Sequence, residues 1–394
     1  MAVTDAGRLI GPREHWYNNP TVRSIATQVV LVVVVFGTIG WLAHNTTTNL
    51  HDRGIASGFG FLSQRAGFDM TTFLNTTSSS TYGFMMLAGL VDTVIASAVA
   101  IVLATILGLI VGIARLSTNW LVRAFATVYV ELLRNIPPLL VILFWYLAVI
   151  ATLPNIRDAL QLGPDISLSN RGFFMPKPIF GDGFVWTVVA FVVSLVIAYG
   201  VHRWAHARQM ATGKGFHTGW VNLAIIVVLT LAVFAATRFP LTFEIPVKTR
   251  FNINGGLTLS PEFTSLTLAL GVYTASFIAE IVRAGILAVS HGQSEAARSL
   301  GLRNGLTLRL VVLPQALRVI IPPLASEYLN ITKNTSLALA VGYADLVAVG
   351  NNVLNPTGQS IEVVAIWMAF YLGLSVVISV AMNVFNARIA LKER

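Results

Sequence analysis

Eight stretches of about 20 mainly apolar residues recur along this chain, and a run of that length is what a helix needs to cross the hydrocarbon core of a bilayer. They lie near 24–44, 88–113, 122–150, 184–201, 219–237, 264–287, 312–345 and 361–386. Inside a bilayer every backbone N–H and C=O must be satisfied within the protein, so segments of this kind predict helices. The fold class is therefore an all-α membrane protein of about eight transmembrane helices. Composition agrees, because 55% hydrophobic and 11% charged residues leave too little polar surface to cover a soluble core of this size. In the seventh stretch Pro322-Pro323 and the polar run Asn330 to Asn334 interrupt the apolar pattern, which allows two shorter elements there.

Cytoplasmic flanks retain Lys and Arg, and this bias sets orientation. With the N-terminus inside, the inner segments hold 16 such residues and the outer ones, although longer, hold 8. Both termini are then cytoplasmic. The leader before the first stretch carries Asp5 and Glu14 and precedes a full-length span, which predicts a retained helix rather than a cleaved signal. The net charge of +9 is scattered over short loops with no basic stripe, so the expected partner is membrane lipid and not nucleic acid. The chain has no cysteine, hence no disulfide or thiolate metal site, and its 7 histidines are dispersed. No cofactor or metal is expected. Segments 45–87 and 154–183 read as irregular outer structure, and 238–263 as extended, with a small hairpin around Gly255-Gly256.

Residues 291–314 form a charged, glycine-punctuated stretch between two apolar spans. Glu295, Ala296 and Ala297 favour helix, Gly301 and Gly305 break it, and Pro314 suits the first turn of the next helix. A short helix, a sharp turn and then the seventh span are predicted. Its small alanines allow close approach to a partner surface, while Glu295, Arg298 and Arg303 remain available for polar contacts. The spacing fits EAA-x3-G-x9-[IV]-x-L-P, with Val311, Leu313 and Pro314 in the last slots. This segment resembles the cytoplasmic coupling loop of ABC-importer permeases, and the resemblance implies that Glu295, Ala296, Ala297 and Gly301 dock on a separate ATPase. Two further stretches, YVELLRNIPPLL at 129–140 and AEIVRAGILAVS at 279–290, are similar to permeases of the histidine, glutamine, arginine and opine branch. Among these the chain looks like the long Q-type permeases of general L-amino-acid importers.

The resemblance covers about 85–150 and 264–390. It implies that five of the helices form a type I importer permease core. The chain then divides into an N-terminal region with the first span and outer loop (1–87), a first core segment (88–150), an insertion with two extra spans (151–262) and a second core segment that contains the coupling loop (263–390).

Glu131/Arg134 and Glu280/Arg283 repeat one Glu-x-x-Arg spacing on two spans. Residues three apart share a helix face, so each set is read as an intramembrane ion pair, with snorkelling to the headgroups as the alternative. Pro137-Pro138 and Pro322-Pro323 are expected to kink their helices. Glu327, Asn330, Lys333, Asn334 and Ser336 form the richest polar run inside a span, with Tyr273 on the sixth; together they offer the donors, acceptors and balanced charge that an α-amino acid requires. The expected function is a permease subunit of a binding-protein-dependent ABC importer for L-amino acids in the bacterial inner membrane. The partners implied are an ATP-binding subunit dimer, a second homologous permease and a periplasmic amino-acid-binding protein. The chain contains no G-x4-G-K-[ST] phosphate loop, so ATP hydrolysis is assigned to a partner and the chain is not an enzyme. The competing reading is a proton- or ion-coupled secondary transporter titrating Glu131, Glu280 or Glu327, which would not need segment 291–314.

Overall fold

The computed structural model describes residues 20–389 apart from 53, 55, 56, 214, 250 and 251. The chain termini, whose side of the membrane the charge bias addresses, lie outside the described residues. The helices are α1 (Pro20–Asp52), α2 (Tyr82–Ala114), α3 (Trp120–Arg134), α4 (Pro138–Leu143, continued as a π-helix over Phe144–Ile150), α5 (Phe184–Thr212), α6 (Thr218–Ala236), α7 (Pro261–Leu287), α8 (His291–Ser299), α9 (Asn304–Thr307), α10 (Leu313–Asn334), α11 (Leu346–Thr357) and α12 (Ser360–Ile389). Among the described residues seven helices are long and apolar enough to cross a membrane, and the bent pair α3 and α4 raises this to eight.

Local sequence explains where the main helices begin. Thr81 Oγ1 accepts from the Phe84 N–H at 3.3 Å to cap α2, and Ser260 Oγ accepts from the Phe263 N–H at 3.1 Å to cap α7, with Pro261 in the first turn. Asp345 Oδ1 caps α11 from the Ala348 N–H at 2.8 Å. The third stretch is not a single rod. At Pro137 the backbone turns extended and Pro138 starts a new helix, so the two halves meet at 110°. Proline supplies no N–H to continue the ladder and forces its predecessor out of the helical region. The paired prolines of α10 behave otherwise: the helix runs through Pro322 and Pro323, and the span continues from Asn304 to Val341 before Gly342 turns left-handed.

The core is built on α2 against α7. Ala96, Ala100, Ala104, Gly108 and Gly112 recur every four residues on one side of α2 and are buried. A Cβ on Gly108 would sit 2.6 Å from Ile278, and one on Gly112 2.8 Å from the Ala279 carbonyl. Close approach between these backbones therefore depends on small residues, as is common between helices in lipid. Leu266, Leu270, Ile278, Ile142 and Ile331 complete this inner cluster, and Phe61, Met85, Leu346, Val349 and Val353 form a second one at the end where α2 begins. Helix α10 packs on α7 and α12. By contrast α1 buries nothing in the chain, and α5 and α6 pack chiefly on each other.

The segment 154–183, expected to be irregular, contains strands. β1 (Leu160–Gly163), β2 (Ile166–Ser169), β3 (Gly172–Met175) and β8 (Leu257–Leu259) form an antiparallel sheet in the order β1-β2-β3-β8. β4 (Lys177–Phe180) pairs with β5 (Leu241–Glu244), and β6 (Val247–Lys248) with β7 (Ile253–Asn254). The hairpin expected at Gly255-Gly256 does not form, because β7 and β8 on either side of it belong to different sheets. The two glycines, at φ 77 and 70, instead carry the chain from one sheet to the next; a Cβ on Gly256 would meet the Met175 carbonyl at 2.8 Å.

Candidate functional site

The 291–314 segment is a nine-residue helix followed by a left-handed turn. The Leu302 N–H reaches the Ala297 carbonyl at 3.2 Å and the Gly301 N–H reaches the Arg298 carbonyl at 2.8 Å. These two bonds are the Schellman closure, in which the residue four after the anchor must take positive φ, and Gly301 does so at 77°. The fixed distance from Ala297 to Gly301 thus has a geometric cause. Ala297 is buried at 5% exposure, whereas Glu295 projects outward with its side chain 65% exposed and its Oε1 3.0 Å from His291 Nδ1. Ala296 is exposed beside it. Leu300 is 83% exposed, and Leu306, Leu308 and Leu310 are also open. A helix anchored on one alanine therefore leaves an acid, a small residue and Leu300 exposed, with Arg298 and Arg303 also open.

Above this loop an ion cluster ties three helices. Arg283 grips Glu280 through two bonds, Nη2 to Oε1 at 2.6 Å and Nε to Oε2 at 3.1 Å. Glu131 does not pair with Arg134. Its carboxylate lies 3.6 Å from Arg115 at the end of α2, and Arg115 also bonds Glu280, while Arg134 sits over the Phe277 ring at 5.5 Å. The cause is that a nearly buried guanidinium, 10% exposed, takes both acids that face it from α3 and α7. Sequence reasoning does not single out Arg115; on its own it reads as one more inside-flank cation.

The polar run of α10 divides. Glu327 is half-buried, bonded to Asn330 and within the fields of Arg134 and Tyr273, so these four gather where α3, α7 and α10 meet. Tyr328 bonds Thr105 of α2 through its hydroxyl at 2.9 Å. Lys333 is exposed, Asn334 is half-buried, and Ser336 Oγ is spent on the Lys333 carbonyl at 2.8 Å. Asn330 and Lys333 share a face of α10 that the rest of the chain leaves uncovered.

Residues 220–391 match the family of binding-protein-dependent transport system inner membrane components. Over the whole length the chain is similar to the general L-amino acid transport system permease protein AapQ of Rhizobium johnstonii, at 53% identity over 95% of this chain and 94% of that protein. The chain belongs to the amino-acid ABC-transporter permeases. It is also 50% identical to the putative amino-acid ABC transporter permease YhdX of Escherichia coli, over 96% of this chain and 97% of that one. The glutamate/glutamine/aspartate/asparagine transport system permease BztB of Rhodobacter capsulatus is 40% identical over 94% of this chain and 95% of its own. All three extend through residues 151–262 of this permease. The glutamine permease GlnM of Bacillus subtilis, probable by its name, matches 53% of the permease but 92% of its own length, at 32% identity.

Proposed function

We propose that this permease lines one half of a translocation pathway for L-amino acids and is driven by an ATPase that docks on α8. The observation that carries the reading is the exposed Glu295-Ala296 edge of a helix locked by the Gly301 turn, on a chain 53% identical to a general L-amino acid permease. A rigid helix lying across the bundle end transmits displacement, whereas a mobile loop would absorb it. In this arrangement α8 faces the cytoplasm, both termini lie on that side, and a binding protein delivers substrate at the opposite end. The chain binds no cofactor and hydrolyses no ATP itself. Asn330 and Lys333 support a second permease as neighbour, because a charge at that depth is costly against lipid and is relieved by a partner or a water-filled path. Glu327, Asn330 and Tyr273, with Arg134 beside them, supply the mixed charge and hydrogen bonding for an amino acid between the two subunits; Lys333, Asn334 and Ser336 would line its outer continuation.

The test is Glu295→Lys in the assembled system. The acid becomes a cation, so recovery of the ATPase with the tagged permease and uptake of labelled amino acid should both be lost while the chain remains inserted. Full uptake by this variant would remove the docking role.

A further inference from the structure

At the end of the bundle opposite α8, the 71–73 segment, α2, the start of α7 and Tyr343 line a half-open cavity of about 50 Å³. Its floor is Asp92, a residue wholly buried in the molecule. One carboxylate oxygen, Oδ1, accepts the Phe73 N–H at 3.1 Å, but Oδ2 is buried and has no partner. The walls are rich in acceptors. The Thr72 hydroxyl proton goes to the Leu74 carbonyl and that of Tyr343 to the Asp92 carbonyl, so both oxygens offer the cavity lone pairs only. Ser260 adds a third hydroxyl, and no Lys, Arg or His lines the space.

An orphaned, buried carboxylate among hydroxyl oxygens favours positive charge beside it to offset its desolvation. We propose that this cavity binds a single alkali-metal cation. Charge selects that ligand. The cavity, about 50 Å³, takes an ion with a few waters, and the assignment does not rest on the transport reading. One carboxylate supplies one negative charge, whereas divalent ions are held by several carboxylates; among the described residues no group of three or more His, Cys, Asp or Glu could hold a metal ion. A route in is present. The adjoining cleft, about 360 Å³, shares Thr71, Ser260 and Tyr343 with the cavity and carries Asp69 and Glu262 without any basic side chain, so its field favours cations.

The bound ion would act as a clasp. Phe73 already meets Phe263 edge-on at 5.3 Å, and Phe263 meets Tyr343 at 5.8 Å. An ion joining Asp92 to the hydroxyls of Thr72, Ser260 and Tyr343 would fasten the segment before α2 to the start of α7 and to the turn before α11.

The experiment is thermal unfolding of the full chain in lipid nanodiscs at fixed pH and ionic strength, with sodium chloride titrated against choline chloride. The expected result is a saturable rise of the midpoint with sodium, absent in Asp92→Asn, which keeps the Phe73 bond and removes the charge. Equal midpoints in the two salts overturn the proposal, as does an undiminished sodium response in Asp92→Asn. A midpoint that follows pH but not sodium overturns it too, by assigning Oδ2 a proton. Should Asp92→Asn not fold, Thr72→Val must raise the half-saturating sodium concentration several-fold; an unchanged value overturns the site.

Discussion

Arg115 ties three helices together at the end of the bundle nearest α8, and the sequence does not bring it forward. It joins Glu131 of α3 to Glu280 of α7 from the end of α2, and Glu280 in turn is held by Arg283. Arg115→Ala should lower the stability of the purified chain by about 2 kcal/mol, the typical loss for hydrogen bonds to charged groups, read as a drop in the unfolding midpoint. Arg115→Lys should recover only a fraction of this, since an ammonium lacks the fork that reaches two carboxylates. Gly301→Ala tests the turn separately. At φ 77 an alanine costs about 1 kcal/mol locally, so uptake should fall while membrane insertion is unchanged; equal uptake would show that α8 does not need this closure. The motif and its glycine are readable from spacing alone. The exchange of partners around Arg115 is not, because it depends on which faces α2, α3 and α7 turn toward one another.

At the scale of elements, the α2–α7 contact decides the core. Gly112→Leu should force these helices apart and cost about 1–3 kcal/mol by overpacking, whereas Gly37→Leu on α1, where a Cβ meets nothing within 4 Å, should leave the midpoint unmoved. A matching effect of both substitutions would remove the close-packing argument. Helix existence is legible because apolar runs of this length have one structural outcome in a bilayer. The break at Pro137 and the unbroken passage through Pro322-Pro323 are not, since the same dipeptide ends one helix and is carried within another. The extended reading of 238–263 agrees with β5 to β8, whereas β1 to β4 are hidden for a related reason: their pairing partners lie as far apart in sequence as Phe173 and Leu259, and four residues carry too little periodicity to be read as strand.

The whole molecule is a core with attachments of unequal weight. α1 contributes no buried surface to the chain, so a chain beginning after α1 should still insert and recover the ATPase; its loss from the membrane would mean that α1 serves insertion rather than packing. The α5–α6 pair and the three sheets stand between the bent α3–α4 unit and α7. They carry the chain out and back, and β8 leads directly into Ser260, the cap of α7. Segment 151–260 is thus continuous with the start of α7 through its last strand.

By itself the sequence determined that this chain is a helical membrane protein, roughly where its spans lie, and that a short capped helix with an exposed acid stands between two of them. Hydrophobic length and local turn chemistry act over neighbouring residues, so both are present before folding is considered. The tertiary structure alone decided which acid meets which arginine, how the glycine and alanine edge of α2 seats on α7, and that Asp92 ends with one oxygen unpartnered over a small cavity. A lone acid in an apolar span is visible in the sequence. Its surroundings come from four segments distant in sequence, and only packing brings their hydroxyls together.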